Sequence, residues 1–557
     1  MTWRWSINKN MYYYKVNYPQ YKTQIKYFRG GMNLFRKRLL TILTCILIFS
    51  LTIVTACSSD EEAGDTGPAE STDELVWGIT EEADTLDPRA TVSTYSVEVF
   101  EMVFNSLVYP DGDLEIQKDL ATDIEVKDDD VTYVFELRDD VTWHDGEPLT
   151  AHDVEFTYET ILDPEFGSPH KERIDYIKRV EAIDDYTVEF ETEDPHAAFL
   201  HDLDRFIVPK HAAPRNPFED VDEVEEEKEG EDVFAYEPIG SGPFKVVEWR
   251  PNDTLTLERY EDYHEGPAEL KKIIRREIPE VEAIYADLMA GDIDKGIVPD
   301  QEIDDIDENP DYTLIQERTL NYFPIFINHG YDGHDKLSQL EVRRALNKAA
   351  DYDQIVEHIF PTSYRAHTPI IEGTWAHDPD AVRVYEHDPE KARELLEEAG
   401  YEEGIELELI MSDSNTNMEF GEMLSAQFEE AGIDLDVNTM DFGAMLDRTL
   451  DGDYQLSSVG MTNMTDPDEF MQRYVDGGGA SNYENPEMDE LIIEARRTVD
   501  DQEKRAELYS EIQEIFSEEA VDIPIRNSTI LVVWNSDFNM DYNYIERYRN
   551  MKDAYWD

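Results

Sequence analysis

The stretch "LATDIEVKDDDVTYVFELRDDVTWHDGEPLTAHDVEFTYE", Leu120 to Glu159, carries the patterns that decide the fold class. Within it, Val131 to Leu137 alternates apolar and polar side chains with a period of two, which predicts a half-buried strand. Thr150 has a hydroxyl that can cap a helix, and we predict that a helix begins near Ala151. Strand and helix in close succession predict a mixed α/β chain.

The same two patterns continue along the chain without a detectable repeat. Thr254 to Tyr260 also alternates with a period of two and predicts another strand. Helices are predicted from apolar spacing and boundary residues in these segments: Glu341–Asp351, with Val342, Ala345, Leu346 and Ala349 on one face; Asp388–Gly400, with Asp388 as N-cap, Pro389 first in the helix and Gly400 as the stop; Glu487–Thr498; and Gln502–Ser517.

The charge balance is strongly acidic. The chain has 557 residues, of which 48 are Lys or Arg and 128 are Asp or Glu, so that the formal net charge is −80. Such a charge excludes nucleic acid and an anionic membrane surface as partners. The acids are interleaved with aromatic and aliphatic residues, which indicates a folded, hydrated, salt-adapted (halophilic) surface rather than a disordered tail. The densest run, Glu219 to Asp232, lacks the spacing of a calcium loop and is interpreted as a solvated loop.

The N-terminal segment has the order of a secretory signal peptide. A basic cluster at Arg36 to Arg38 precedes an apolar run that ends near Ala56, and an acidic spacer follows Cys57. An uncleaved membrane anchor is the alternative, since the run could just span a bilayer. Val54 to Cys57, "VTAC", resembles a bacterial lipobox, and the resemblance implies that Cys57 is lipidated and becomes the first mature residue.

These features give the expected processing and location. We interpret residues 1–56 as an upstream extension plus the signal peptide, with the true start at Met32, and residues 57–74 as a lipid-anchored linker. The mature protein is then expected on the outer face of the cytoplasmic membrane. Both cysteines, Cys45 and Cys57, lie in this segment, so we predict no disulfide and no thiolate metal site in the folded part.

Motifs of catalysis are missing from the sequence. We find no G-x-S-x-G elbow, P-loop, G-x-G-x-x-G fingerprint or H-E-x-x-H pair. The thirteen histidines are scattered, and we interpret His144 and His152 as structural. We therefore predict that the chain is not an enzyme and has no catalytic residue, cofactor or metal site.

Several segments, in order along the mature chain, resemble the family 5 extracellular solute-binding proteins, the peptide- and nickel-binding receptors of ABC importers. They include "ADTLDPRA" (Ala83–Ala90), the opening stretch, "PIGSGPFKVVEW" (Pro238–Trp249), "LMAGDID" (Leu288–Asp294) and "NYENPEMDELIIEARR" (Asn482–Arg497). We interpret the "GSGPF" turn as a place where backbones approach closely and glycine adopts a positive φ.

The resemblance implies a two-lobed α/β periplasmic-binding-protein type II fold, with an extra inserted domain and a hinged ligand cleft. It implies these limits: domain I, residues 75–108, 238–296 and 500–557; domain II, residues 109–237; domain III, residues 297–499.

The implied function is that of a lipid-anchored, monomeric receptor. It would capture an oligopeptide or similar small solute and deliver it to the permease subunits of an ABC importer. Three alternatives remain open from the sequence: a peptide-sensing receptor of the same fold, a nickel-chelate receptor and an extracellular hydrolase.

The loop "SVGMTNMTDPDEF", Ser458 to Phe470, is the first ligand-binding candidate. It matches a family motif, G-W-x-x-D-x-x-D-P, whose first aspartate pairs with the amino terminus of bound peptides. Here Asn463 stands in place of that aspartate, and Met461 in place of the tryptophan. Asn463 either closes a turn or lines the cleft as a neutral hydrogen-bonding group. Binding of a free peptide amino terminus then requires another acid.

Further ligand-binding candidates come from motif matches and are Ser93, Thr94, Tyr95, His170, Trp375 and, as an adaptable pocket floor, Met461 with Met464. Each has a structural alternative. The first three can serve as a helix N-cap segment, the histidine can lie on a surface loop, and the tryptophan and methionines can be packing residues.

Overall fold

The computed structural model describes residues 73–127, 129–215, 233–330, 336–462, 464–477, 481–499 and 501–557. Residues 70–557 form one compact unit. The predictions for Cys57, for the signal peptide and for the acidic run that ends at Asp232 lie outside the described residues. Within the described part, no helix combines the length and the apolar character required to cross a bilayer.

The described strands are, in chain order, β1 (Glu74–Ile79), β2 (Val108–Pro110), β3 (Ile116–Lys118), β4 (Ala121–Val126), β5 (Thr132–Leu137), β6 (Ile177–Asp184), β7 (Thr187–Thr192), β8 (Phe244–Arg250), β9 (Thr254–Arg259), β10 (Lys272–Glu277), β11 (Lys295–Gly296), β12 (Tyr312–Ile327), β13 (Tyr364–Arg365), β14 (Ile405–Ser412), β15 (Ile433–Met440), β16 (Leu456–Ser458), β17 (Ile523–Asn535), β18 (Phe538–Asn539) and β19 (Tyr555–Trp556).

The described α-helices are α1 (Thr94–Val103), α2 (Ala151–Leu162), α3 (Lys171–Ile174), α4 (Phe199–Asp202), α5 (Val281–Ala290), α6 (Ile303–Asp307), α7 (Leu340–Ala349), α8 (Tyr352–Ile359), α9 (Pro389–Glu398), α10 (Asn415–Glu430), α11 (Phe442–Leu450), α12 (Asp468–Met471), α13 (Pro486–Arg497) and α14 (Gln502–Glu518).

The opening stretch forms part of a separate four-stranded antiparallel sheet with the order β4-β5-β7-β6. Strand β5 follows the predicted alternation, with Tyr133, Phe135 and Leu137 buried on one face. Helix α2 begins directly after Thr150, whose backbone N–H donates to the Asp153 carboxylate at 2.8 Å. Both the predicted strand and the predicted helix are confirmed, as is the mixed α/β class.

A large mixed sheet connects the rest of the molecule. Its order is β15-β14-β16-β12-β17-β11-β1-β10-β9-β8, with β13 also paired to β17. The long antiparallel pair β12 and β17 lies in the middle: the end of β12 pairs with β16, and the end of β17 pairs with β11. The pairing is irregular between Arg318 and Tyr322. The two halves of the sheet are therefore joined by one two-stranded ribbon with a local irregularity.

Each half of the large sheet has its own hydrophobic core. One core contains Leu75, Ile273 and Phe100, from β1, β10 and α1. Another contains Leu346, from α7, and Leu409, from β14. Two separate cores are consistent with two lobes, because each lobe buries its own apolar surface.

The predicted helix signals are confirmed in detail. Val342, Ala345, Leu346 and Ala349 are all fully buried on one face of α7. At the start of α9, the Asp388 carboxylate accepts a hydrogen bond from the Lys391 backbone N–H at 2.9 Å. After this helix, Gly400 has a φ of 93°, as expected of a C-terminal stop.

Helix α14 packs in the same core as β12 and α13. Its buried residues Leu508, Ile512 and Phe516 share a cluster with Tyr322 and Met488. The domain limits implied by the family resemblance, including the one placed at residue 500, stay a prediction.

For the "GSGPF" turn, the predicted close approach of backbones is confirmed, and the predicted positive φ is wrong. A Cβ at Gly242 would come within 2.7 Å of the Met102 carbonyl oxygen, and a Cβ at Gly240 would overlap the carbonyl of Val103. Close backbone approach to the end of α1 therefore requires glycine at both positions. Neither glycine has a positive φ, so the expectation of left-handed backbone was wrong.

Candidate ligand-binding site

A cavity of about 220 Å³ lies where the segments of both sheet halves meet. Its lining comes from the loop before α1 and from α1 itself, from the segments around Pro169–Arg173 and Asp204–Phe206, from Leu320 on β12, from Thr462 and Thr465, and from Tyr544–Arg549 near the C-terminus. Leu320 lies in the irregular stretch of β12. The cavity therefore adjoins the ribbon that joins the two halves of the sheet.

The loop before α1 is held by buried polar contacts. Arg89 is 1% exposed and makes two hydrogen bonds to the Asp87 carboxylate, at 3.0 and 2.7 Å. Its backbone carbonyl accepts a hydrogen bond from the Ser168 hydroxyl at 2.6 Å. Pro88, Thr91 and Val92 are thereby fixed along one wall of the cavity.

His170 lines the cavity, and its ring nitrogens already have protein partners. Its contact with a ligand stays a prediction. Nδ1 lies 3.0 Å from the Arg205 Nη1 donor, which assigns the proton to Nε2. Nε2–H then donates to the carbonyl oxygens of Thr91 at 2.9 Å and Pro88 at 3.1 Å. Burial, together with the cationic Arg205, lowers the pKa of His170 to about 3. The imidazole is thus neutral, and it positions the loop before α1.

The charged groups of the lining include four arginines and two carboxylic acids, namely Arg173, Arg205, Arg547, Arg549, Glu101 and Asp204. Burial raises the pKa of Glu101 to about 7, and the nearby guanidinium groups of Arg547 and Arg549 offset this only in part. Burial would also raise the pKa of Asp204, but neighbouring arginines, Arg205 foremost, bring it below its usual value.

The predicted loop from Ser458 to Phe470 reaches the cavity through Thr462 and Thr465. Asn463, between them, lies outside the described residues, so its contact with a ligand stays a prediction. Met461 exchanges backbone hydrogen bonds with Tyr322, at 2.9 and 2.8 Å, and does not line the cavity. A Cβ at Gly460 would overlap the Phe323 ring, so this end of the loop requires glycine for close packing against β12.

Three acidic residues of the "TDPDEF" segment anchor the loop by ion pairs. The buried Asp466 accepts two hydrogen bonds from Arg505 of α14, at 2.9 and 2.7 Å. Asp468 pairs with Arg496 of α13 at 2.9 Å. Burial would raise the pKa of Asp466, but the adjacent guanidinium brings it below its usual value. The aspartates are therefore structural anchors of the loop.

Glu469 connects the loop to the segment around α3. Its carboxylate lies 2.7 Å from Arg173 Nη2 and accepts a hydrogen bond from the Thr465 hydroxyl at 2.9 Å. Arg173 also donates to Asp202 at 2.6 Å. Since Arg173 and Thr465 both line the cavity, this network fixes two of its walls relative to each other.

Trp375 and Met464 lie beside the main cavity. They line a small apolar cavity of about 20 Å³, which shares Thr465 with the larger one. The Trp375 ring packs edge-on against Tyr509, with centroids 5.8 Å apart. The structure thus brings Trp375 and Met464 together and leaves Met461 apart from them.

Ser93, Thr94 and Tyr95 flank the cavity without lining it, since the lining passes from Val92 to Val97. Ser93 directly precedes α1, and the Tyr95 hydroxyl lies 3.0 Å from that of Thr80. Their proposed ligand contacts stay a prediction.

The sequence analysis missed the arginines at 205, 547 and 549. A signal was present in "YIERYRN", Tyr544 to Asn550, where two arginines stand close together in an acidic chain. Nothing in the sequence, however, placed this segment beside the loop before α1. Among the described residues, no group of three or more His, Cys, Asp or Glu side chains could hold a metal ion.

Comparisons with known proteins agree with this architecture. The chain is 25% identical over 545 residues to the oligopeptide-binding protein AppA of Bacillus subtilis, covering 92% of this chain and 96% of that protein. It is 27% identical over 459 residues to heme-binding protein A of Haemophilus influenzae, covering 77% and 82% respectively.

Solved structures show the same fold. The substrate-binding protein CtaP of the ABC transporter from Listeria monocytogenes matches with a TM-score of 0.74 and 27% identity, over 87% of this chain and 100% of that chain. The periplasmic binding protein DppA of Helicobacter pylori, in complex with the peptide STSA, matches with a TM-score of 0.73 and 25% identity, over 87% and 98%. The two-lobed binding-protein fold is therefore confirmed.

The family described as "Bacterial extracellular solute-binding proteins, family 5 Middle" matches residues 115–482, which is more than half of the chain. The match includes β5, α2 and the loop that borders the cavity. The chain belongs to the family 5 bacterial extracellular solute-binding proteins.

Proposed function

We propose that this protein is a lipid-anchored receptor that captures a small solute, such as a short peptide, and delivers it to the permease of an ABC importer. The observation that carries the proposal is the composition of the cavity wall. One wall consists of residues from the loop before α1 and from α1 itself. Thr462 and Thr465, which follow a strand of the other half of the sheet, belong to the same lining. A site built from two separately packed halves can close on a ligand and open again.

The ribbon of β12 and β17 supports a hinge. Only these two long strands join the halves of the large sheet in the described part, and their pairing is irregular between Arg318 and Tyr322. Contacts between the segment after β7 and α13 would form on closure. The Ala197 backbone N–H donates to the Arg496 carbonyl at 2.7 Å, for example. We propose that such contacts hold the ligand-bound form together.

The size of the cavity bears on the class of solute. Its volume of about 220 Å³ is below the range of about 300–1,000 Å³ that is usual for sites of drug-sized ligands. Relatives are named for binding oligopeptides and heme, and one solved structure contains a four-residue peptide. We propose a small solute, or a peptide of only a few residues, as the ligand here.

Native mass spectrometry tests capture. The chain with Cys57→Ser, purified gently from a peptide-rich, salty medium, is expected to carry small solutes that are released on denaturation. A ladder of peptides would support a peptide receptor, and one non-peptide mass would identify another cargo. Turnover of peptides by the purified protein would contradict the proposal and favour a hydrolase.

Membrane attachment is tested separately. Cells that express the wild-type chain are expected to incorporate a palmitate analogue into the protein and to retain it in the membrane fraction. The Cys57→Ser variant is expected to lose the label and to appear in the medium. Absence of label from the wild-type chain would refute the lipid anchor, and retention of that unlabelled chain in the membrane fraction would favour an uncleaved membrane span.

A further inference from the structure

The guanidinium group of Arg549 is surrounded mainly by neutral groups. Its side chain is 14% exposed and lines the cavity. The guanidinium carbon lies 4.9 Å from the ring centroid of Tyr109 and 5.1 Å from that of Phe206. Nη1 donates to the Ser106 hydroxyl at 3.2 Å. Two neutral rings and a hydroxyl therefore hold the group in place without cancelling its charge.

No carboxylate lies within hydrogen-bonding distance of the Arg549 guanidinium in the described part of the chain. Among the residues that the structure describes, its closest carboxylate oxygen is Asp119 Oδ2, at 3.9 Å, which is beyond hydrogen-bonding distance. Asp119 instead accepts hydrogen bonds from Asn105 Nδ2 and the Ser106 backbone N–H, both at 2.8 Å. The Asp119 carboxylate is thus satisfied by neutral donors.

Arginines with structural roles in this protein, unlike Arg549, form paired hydrogen bonds with a carboxylate. Arg505 makes two hydrogen bonds to Asp466, and Arg89 makes two to Asp87. Such paired contacts match the fork of a guanidinium to the two oxygens of a carboxylate. Arg549 makes no such paired contact with a carboxylate in the described part of the chain.

Two of the other cavity-lining arginines have carboxylate partners at hydrogen-bonding distance. Arg173 contacts the carboxylates of Asp202 and Glu469, and Arg205 forms an ion pair with Asp204. Of the remaining lining groups, Glu101 Oε1 lies 3.8 Å from Arg547 Nε. The cavity wall carries four arginines against two acids, whereas the whole chain has 48 basic and 128 acidic residues.

We propose that Arg549 docks a carboxylate group of the captured solute, so that the ligand belongs to the class of small carboxylic acids or peptides bound through a carboxylate. This inference rests on the proposed solute-binding function. A ligand carboxylate would add charge-assisted hydrogen bonds to the largely buried guanidinium, where such bonds are stronger than in water. The local arginines would also offset the repulsion that a chain of net charge −80 exerts on an anion.

The test offers the purified full chain a mixture of short peptides and small carboxylic acids, either untreated or methyl-esterified. Unbound material is removed, and the ligands released on denaturation are quantified by mass spectrometry. We expect esterification to lower capture by about tenfold or more, since a charge-assisted hydrogen bond accounts for at least that factor. Arg549→Gln should lower capture of the untreated mixture by a similar factor, and Arg549→Lys should restore part of it.

The matched control is Arg250→Gln, which removes the same charge from a side chain that is 58% exposed on β8. It should capture ligands as the wild type does. Equal capture of esterified and untreated ligands, or unchanged capture by Arg549→Gln, would overturn the carboxylate proposal while leaving the receptor function intact. Capture from neither mixture by folded protein would overturn both. A loss in Arg549→Gln that is equal for both mixtures would indicate a folding defect and would also count against the proposal.

Discussion

Replacement of Asp466 by asparagine removes the negative charge from a buried ion pair that anchors the loop beside the cavity. The Asp466 side chain is fully buried and that of Arg505 is 8% exposed. Two charge-assisted hydrogen bonds, at 2.9 and 2.7 Å, would be lost or weakened, and the guanidinium would stay buried without its counter-charge. Removal of one partner of such a pair costs about 3–5 kcal/mol.

A double-mutant cycle separates the pair from its surroundings. We expect Asp466→Asn and Arg505→Met each to lower the free energy of unfolding by about 3 kcal/mol or more, and the double variant to lower it by at least about 2 kcal/mol less than their sum. Urea unfolding at constant molar salt, followed by tryptophan fluorescence, measures this. Trp375 reports the region directly, since the Arg505 guanidinium lies 5.0 Å from its ring.

The control cycle uses Glu248 and Arg250, an exposed pair 2.6 Å apart on β8. Substitutions of this pair are expected to stay within about 0.5 kcal/mol. The reasoning is refuted if Asp466→Asn costs less than about 1 kcal/mol, or if the two buried substitutions are additive. Either result would show that apolar packing, rather than the ion pair, holds the loop.

Further predictions concern pH, packing and salt. Burial raises the pKa of Glu101 from 4.5 to about 7, against the smaller opposite effects of Arg547 and Arg549. The folded state therefore binds this proton more tightly than the unfolded state, and stability falls as the pH rises from about 4.5 through about 7. Glu101→Gln should remove this fall, worth up to about 3 kcal/mol, and unchanged pH dependence of thermal unfolding would contradict it. Gly460→Ala should destabilise by about 1–3 kcal/mol because its Cβ overlaps the Phe323 ring; a wild-type melting temperature would refute the close contact. Finally, the net charge of −80 predicts a higher melting temperature in molar salt than in dilute buffer, and equal values would refute salt adaptation.

The helices and strands could be predicted from the sequence because they depend on interactions between residues close together in the chain. The alternation in β5, the buried face of α7 and the Asp388 cap of α9 each depend on residues close together in the chain, and all are confirmed. Family motifs added the two-lobed fold. The order of the strands in the large sheet could not be read this way, because β17 pairs with β12 across about two hundred residues.

The physical reason for the glycines of the "GSGPF" turn was harder to predict than the position of the turn. The "GSGPF" turn packs closely against α1, as expected. Its glycines do so at negative φ, because the carbonyls of Met102 and Val103, rather than the backbone conformation, exclude a side chain. A steric constraint imposed by a distant segment leaves no local signal.

By itself, the sequence determined the elements, the family and the acidic surface, since each follows from local pattern or composition. Only the tertiary structure decided which charges face the cavity. Arg549 and Ser106 are separated by 443 positions, yet they lie 3.2 Å apart. In the described part of the chain, Arg505 has carboxylate oxygens within hydrogen-bonding distance and Arg549 does not, and folding alone sets these distances.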